Sequence, residues 1–468
     1  MDNLYHNKIL RSIYYSLPPF LMELAAYLYS LKVHRRRYGG VFLPFINKLI
    51  KGESLSYEER MTTQISSLRQ MLVYAGTNSP FYRELFSNIG FDPSSLQSVG
   101  DLQRIPALQK DHVRTQGSKL IAENFQGPIM KNHTSGTTGA PLYVTLSEEA
   151  HQRHYACLWY HFTWVGFHPG DAIATFAGHQ IAAPDRKKPP FWLYDRREND
   201  LMFSSFHLTP STISYYAGKL KDFNPVIIRG YPSLIYLIAL HVIETGMEIR
   251  PKGIFTYAET TFDKQRTVIE EAFKCPVYSS YGNGEHVGHL LQCREGNFHE
   301  VTESGVIEVI RPDGELAKPG EAGELVITSL INDAMPMIRY RTGDIGVKTE
   351  GLCTCGRTSP ILKEIIGRIA DFIVTPDGRH VSHLNYVFEV TSNIKEAQLV
   401  QEKIDELTVN LVVHPDYNDN DKKLILAGLR SLLGDEMKIT IQVVDEIQRT
   451  KEGKLKFVNS RVPIQFSE

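Results

Sequence analysis

Short apolar runs alternate with helical stretches through the middle of the chain. Asp171–Ala177, Val226–Gly230, Ile254–Thr256 and Val277–Ser279 are the clearest of these runs. Buried strands of that length, separated by helices, predict parallel α/β layers. From Gly305 to Thr328 the pattern changes to GVIEVIRPDGELAKPGEAGELVIT, whose glycine-punctuated strands read as antiparallel β. Later, Leu407, Val409, Leu411 and Val413 alternate as one strand, a helix follows over 420–433, and Ile439, Ile441 and Val443 alternate as another. The expected fold class is therefore α/β. A large N-terminal domain of layered α/β subdomains carries a small β-barrel-like part, and a small α+β C-terminal domain of about one hundred residues follows. The main boundary falls near Gly367-Arg368-Ile369-Ala370. The division expected is an N-terminal helical extension at 1–50, a large domain at 51–366, a joint at 367–371 and a small domain at 372–468.

The N-terminal stretch is ambiguous. Tyr14 to Val33 is rich in Leu, Tyr, Phe and Ala and is followed by His34-Arg35-Arg36-Arg37. Glu23, Pro18 and Pro19 argue against a spanning helix, and Pro19 suits the first turn of a helix over Phe20 to Leu31. Residues 14–37 could lie on an anionic membrane surface, or pack on the large domain as an extra helix. Packing is the reading preferred, because no strongly basic polar face accompanies the apolar one.

Composition narrows the class. At 468 residues the chain is too long for one core. Net charge is −2, which gives no electrostatic case for nucleic acid as a partner. Five cysteines without a secretory signal suit the reducing cytoplasm better than a disulfide framework.

Five segments carry candidate chemistry. Thr134-Ser135-Gly136-Thr137-Thr138-Gly139 is a loop of hydroxyls and glycines suited to phosphate oxygens. It lacks the lysine of a GxxxxGK[ST] loop, with Ala140 after the glycines, and a solvated turn is its plain alternative. Tyr281-Gly282-Asn283-Gly284-Glu285 sets an aromatic ring beside a carboxylate able to hold magnesium. Tyr340-Arg341-Thr342-Gly343-Asp344 offers a carboxylate for two ribose hydroxyls. Gly367-Arg368 and Arg449-Thr450-Lys451-Glu452-Gly453-Lys454 add cations on loops. Each alone reads as a turn or a surface ion pair.

In this order, these segments resemble the adenylate-forming superfamily of acyl-CoA synthetases, luciferases and peptide-synthetase adenylation domains, from about residue 50 onward. The chain is similar to the phenylacetate–CoA ligase group, and to its branch found in capsular and surface polysaccharide loci. RRRYGG at 35–40, FHLT at 206–209, RGYPS at 229–233 and CTCGRTSPILKEIIGR at 353–368 point to that branch. The resemblance implies ATP, Mg2+ and a carboxylic acid as substrates, with CoA or a sugar or amine group as acceptor. It implies that Thr134, Ser135, Gly136, Thr137, Thr138 and Gly139 hold the β and γ phosphates, with Thr138 counted among the catalytic residues. Glu285 would hold magnesium, Asp344 and Arg368 the ribose side, and Tyr281, Gly282, Ala258 and Glu259 the adenine side. Lys454 rather than Lys451 matches the TxxGK pattern and would bridge carboxylate and α-phosphate. The small domain would then rotate about 367–371 for the second half-reaction. Two departures stand out, Ala140 where many relatives have Lys and Ala370 where many have an acidic residue, with Asp371 next.

Two questions stay open at the level of sequence. Cys293, His299, Cys353 and Cys355 could form a closed zinc site, which the resemblance supports, or remain reduced structural thiols; His289 competes with His299 as the nitrogen ligand. The acid itself is not legible. Trp159, Trp164 and Trp192 read as core, while His161, His179 and His207 fit either a core or an acid pocket. A silent nucleotide-binding assembly protein is the reading from another class, and the joint presence of Glu285, Asp344 and Lys454 argues against it.

Overall fold

A computed structural model describes residues 14–462, apart from 15–16, 18, 135–141, 179–180, 183–185, 210, 369–372, 377–379, 382–383, 389–390, 392 and 451–454. Helices come first: α1 (Pro19–Tyr38), α2 (Phe42–Gly52), α3 (Tyr57–Asn78), α4 (Pro80–Ile89) and α5 (Lys110–Leu120). Their limits follow local chemistry. Ser56 and Glu59 cap α3 reciprocally, at 3.2 and 2.8 Å, and Gly90 ends α4 in the left-handed region. Helix α1 runs seven residues past the expected Leu31, because no breaker intervenes before Gly39.

A hairpin of β1 (Ile129–Thr134) and β2 (Leu142–Ser147) leads into α6 (Glu148–Thr163). The Ser147 hydroxyl accepts from the Ala150 amide, and Glu148 and Glu149 occupy the positive end of α6. The alternating segment then gives β3 (Ile173–Ala177), β4 (Trp192–Asp195), β5 (Asp200–Ser204), α7 (Ile213–Phe223), β6 (Ile227–Gly230), α8 (Pro232–Thr245), β7 (Gly253–Tyr257), α9 (Asp263–Phe273) and β8 (Val277–Tyr281). Strands β5, β3, β6, β7 and β8 are parallel, as their apolar runs require. At the end of β6, Gly230 has φ +150° and a Cβ there would lie 1.9 Å from the Phe176 carbonyl oxygen, so the glycine of RGYPS is a close-approach site.

Next come β9 (Leu290–Gln292), β10 (Phe298–Glu300), β11 (Gly305–Ile310), β12 (Ala322–Ser329), β13 (Tyr340–Lys348) and β14 (Ile361–Arg368), all antiparallel to their neighbours. The glycine-punctuated region is not a separate layer. One sheet runs from edge to edge as β11, β12, β13, β14, β10, β9, β8, β7, β6, β3, β5 and β4. The late β14 supplies the join, lying between β13 and the short β10. One core lies under α3, α4 and α5, and another holds the parallel half. A third places Phe42, Phe45, Ile46 and Leu49 of α2 against Trp159, Phe162 and Phe255.

After Arg368 the pattern restarts with β15 (Ile373–Val374) paired to β16 (His380–Val381). Strands β17 (Ile394–Lys403) and β18 (Glu406–Val413), helix α10 (Asp419–Leu433), and strands β19 (Lys438–Val443) and β20 (Val458–Ser460) complete a small α+β domain. Its sheet order is β19, β18, β17, β20, and Leu399, Val409, Leu411, Ile425 and Leu429 are in its own core. The chain is thus a large mixed α/β domain followed by a small one.

Candidate active site

The expected site residues gather where β8 and β13 meet. The Tyr281 hydroxyl at the end of β8 donates to Asp344 on β13 at 2.7 Å, and the Tyr340 hydroxyl donates to Glu285 at 2.7 Å. Burial drives the Tyr281 phenol well above its ordinary range, and the Asp344 carboxylate adds to this. The phenol therefore stays protonated and holds one Asp344 oxygen. Asp344 is the register partner of Arg368, so the expected ribose carboxylate and cation lie on adjacent strands; the Arg368 side chain lies outside the described residues.

The turn bearing Asp344 is held from several sides. The Thr342 hydroxyl donates to the Leu325 carbonyl and accepts from the Asp344 amide, while Glu324 accepts from the Gly343 amide at 3.0 Å. The Lys110 ammonium donates to the Thr342 carbonyl at 2.7 Å, bringing α5 to the site. That lysine carried no sequence signal, being 232 residues from its partner.

Phosphate-loop residues 135–141 lie outside the described residues, but both flanks are fixed. Thr134 and Leu142 are register partners, and the Asn132 side chain donates to the Gly284 carbonyl at 2.8 Å. The β1–β2 hairpin thus abuts the glutamate turn. Just past β7, Ala258 has φ +67°, which side chains disfavour and which is common where a backbone is shaped for function. Glu259, expected on the adenine side, has its carboxylate engaged in the structure. Its carboxylate accepts from the Ser233 amide at 3.3 Å and from the Leu455 amide at 2.6 Å. It therefore ties the large domain to the segment just after Lys454, and burial raises its carboxyl above the ordinary range. Lys451 and Lys454 lie outside the described residues. Arg449, before them, pairs with Glu396 and reaches the Ser233 hydroxyl at 3.3 Å.

The sulfur cluster is a second assembly. The ligand atoms of Cys293, His299, Cys353 and Cys355 all lie within 4.8 Å of one another. Cys293 and Cys353 sulfurs are 3.6 Å apart, and the Cys355 sulfur is 3.3 Å from the His299 Nε2. A tetrahedron with metal–sulfur distances of about 2.3 Å has edges of about 3.8 Å, so the donor set and its spacing suit zinc after small side-chain shifts. The Ser359 hydroxyl lies 3.1 Å from His299 Nδ1, which aims Nε2 inward. His289 is not part of the cluster; its Nε2 is 2.7 Å from His154 Nδ1. All five cysteines are free thiols, and Cys157 and Cys275 sit in hydrophobic cores.

Of the residues read as either core or pocket, Trp159 is buried beside α2, and His161 is buried with Nε2 2.9 Å from the Gln292 carbonyl oxygen. His207 is buried 2.8 Å from the Ser204 hydroxyl, and His179 lies outside the described residues. The histidines that approach the candidate site are others. His154 stacks on His286 at 3.8 Å and contacts His289 at 4.8 Å, with His151 stacked on the far side of His286 at 5.5 Å. A Cβ at Gly282 would touch His289 and His154 at 3.5 and 4.0 Å. Their only sequence signal was a matching pair of i, i+3 spacings, 151/154 and 286/289.

A large mixed α/β domain followed by a small one is the acyl-CoA ligase fold. The chain is a homologue of the CapK protein and of phenylacetate–coenzyme A ligases. It is 28% identical over 399 residues to Protein CapK of Staphylococcus aureus, covering 83% of this chain and 86% of that one. It is 24% identical over 440 residues to a phenylacetate–coenzyme A ligase of Thermus thermophilus, covering 87% and 97%. The CapK C-terminal domain family matches residues 373–461. Among solved structures, 2-hydroxyisobutyryl-CoA ligase in the postadenylation state with 2-HIB-AMP superposes with a TM-score of 0.69 at 21% identity, over 88% of this chain and 92% of that one.

Proposed function

We propose that this chain is an ATP-dependent acid ligase that forms an acyl adenylate and passes the acyl group to coenzyme A. The observation that carries the reading is the joined pair Tyr281–Asp344 and Tyr340–Glu285, two carboxylates fixed by phenols at the meeting of β8 and β13. In the first step a carboxylate oxygen of the acid attacks the α-phosphorus of ATP and pyrophosphate leaves. Two anions must meet, so N–H donors and cations contribute most. Residues 134–139 hold the β and γ phosphates, Glu285 holds magnesium, and Asp344 with Arg368 holds the ribose. Lys454 sits between the incoming carboxylate and the α-phosphate. In the second step the CoA thiolate attacks the acyl carbonyl and AMP leaves, after the small domain has turned about 367–371.

The relatives' names support this reading, since phenylacetate–coenzyme A ligases recur among them. An amine or hydroxyl of a polysaccharide precursor is the second acceptor class, carried over from the resemblance in the sequence. The cysteine–histidine cluster is proposed to hold structural zinc, with all four positions closed. Free thiols suit the cytoplasm. Among the described residues no helix is long and apolar enough to cross a membrane, but Leu24, Tyr27, Leu28 and Leu31 are exposed on α1, which supports a surface contact there. Flotation with anionic vesicles tests that contact.

The test of function is ATP–pyrophosphate exchange over a panel of carboxylic acids, followed by AMP release with and without CoA. Acid-dependent exchange with CoA-dependent AMP release is expected. Exchange without any effect of CoA transfers the second step to the other acceptor class. Binding of ATP with no exchange for any acid overturns the ligase reading.

A further inference from the structure

A chain of histidine, tyrosine and arginine side chains runs from Gly282 toward the N-terminal helix. His154 and His289 lie beside Gly282, and both His154 and His151 meet the Tyr155 ring, at 5.5 and 4.9 Å. Over the other side of Tyr155 sits the Arg37 guanidinium, 4.7 Å from the ring centroid. His151, His154, Tyr155 and Arg37 all keep part of their surface accessible although they lie deep in the protein, as side chains lining a recess do.

Arg37 is the anomaly of the recess. Its neighbours are already matched: Arg229 pairs with Asp200 at 2.8 Å, and Glu198 pairs with His34. Arg37 has no ion pair among the described residues, and its buried Nε has no hydrogen-bond partner. Burial opposes the Arg37 charge, but Tyr155, Tyr38 and Glu198 favour it and leave its pKa raised, so the guanidinium stays charged with its Nε free for an anion. Its placement is also built. Helix α1 packs on α6, and the turn after it, at Gly39 and Gly40, is held by Gln152 of α6, which accepts from the Val41 amide at 3.0 Å. The histidines supply no competing charge, since burial holds His154, His286 and His289 below their ordinary range. His154, a neutral ring that keeps part of its surface accessible, suits a hydroxyl or amide group along the way.

We propose that the acid activated by this chain carries a second anionic group at its far end, held by Arg37, with its polar middle against the histidines. This rests on the ligase reading above. It separates this recess from one built for an aryl ring, which would be lined by apolar side chains.

The probes are matched acids that differ at one end: adipate against hexanoate, and 4-carboxyphenylacetate against phenylacetate. Wild-type enzyme with ATP and Mg2+ should favour the dianionic acid of each pair by about tenfold or more in the kcat/KM of pyrophosphate exchange, the worth of one charged hydrogen bond. Arg37→Met should collapse that ratio toward one, Arg37→Glu should favour 6-aminohexanoate over adipate, and Arg35→Met on the exposed side should keep the wild-type ratio. A wild-type ratio near one, or an unchanged ratio in Arg37→Met, overturns the proposal. Melting temperatures give a readout that does not need turnover. Adipate should raise the wild-type melting temperature more than hexanoate does, and that difference should vanish in Arg37→Met. Equal shifts from both acids overturn the recess. Loss of exchange with every acid, alongside a difference in melting, overturns the ligase reading and leaves the recess standing.

Discussion

At the scale of single residues, Tyr281 and Tyr340 each commit a hydroxyl to a carboxylate, Asp344 and Glu285, so each acid keeps one oxygen held by a phenol. The sequence TSGTTG, YGNGE and YRTGD pointed to phosphate, magnesium and ribose because each is a local arrangement of oxygens and glycines. That Tyr281 would bind Asp344, 63 residues away, depends on the ends of β8 and β13 approaching each other although three strands separate them in the sheet. The same reason hid Arg37 and the four stacked histidines. Lys454, proposed as the transition-state cation, gives the sharpest residue-level expectation. Lys454→Ala should lower the kcat of adenylate formation by orders of magnitude with little change in ATP affinity, measured by single-turnover kinetics and nucleotide titration. A variant that forms adenylate at the wild-type rate removes Lys454 from the mechanism. The buried histidines also set a pH response. His289 is held down to about 4 and His161 to about 3 by burial, so both are neutral when folded near pH 6. Unfolded imidazoles take up protons below about 6.5, so the stability these residues contribute is complete above that pH and is lost as pH falls toward 4. Each contributes a slope of about 1.4 kcal/mol per pH unit within that window. Urea midpoints of the wild type should fall between pH 7 and pH 5, and His289→Gln should show a shallower fall; equal slopes would assign the acid sensitivity elsewhere.

At the scale of elements, the apolar runs located four of the five parallel strands within a residue or two, since fully buried strands show no second face to blur the pattern, and missed β5. They did not show that β11 to β13 extend the same sheet, because that depends on β14, whose ILKEIIGR mixes apolar and charged positions. Residues 369–372 follow β14 directly and lie outside the described residues, so their role as a pivot remains a proposal. Glu259 bears on it. Any rotation of the small domain must break its 2.6 Å bond to the Leu455 amide. Proline at Ala370 fixes one backbone angle and restricts the preceding residue, so Ala370→Pro should spare pyrophosphate exchange and impair acyl transfer. Measuring both on one preparation decides it, and equal loss of the two would move the pivot elsewhere. Glu259→Gln should weaken the same tie and alter transfer more than exchange.

At the scale of the whole molecule, the cysteine–histidine cluster stands at the join of the sheet. His299 is on β10 and pairs with Ile361 of β14, and Cys353 and Cys355 lie in the turn that delivers β14. The purified protein should therefore contain about one zinc per chain by elemental analysis, and Cys353→Ser should lose both the metal and several degrees of melting temperature. Metal-free protein that melts unchanged in chelator would leave the four residues as plain thiols. The position of that join reaches into synthesis. A ribosome has translated three-quarters of the chain before the last inner strand can seat, and until then β13 and β10 both present open edges that invite pairing with other chains. On the proposal that zinc holds the join, metal supply would act during birth rather than during turnover. Cells short of zinc would make as much polypeptide but recover less of it in the soluble fraction, while molecules folded earlier would keep working.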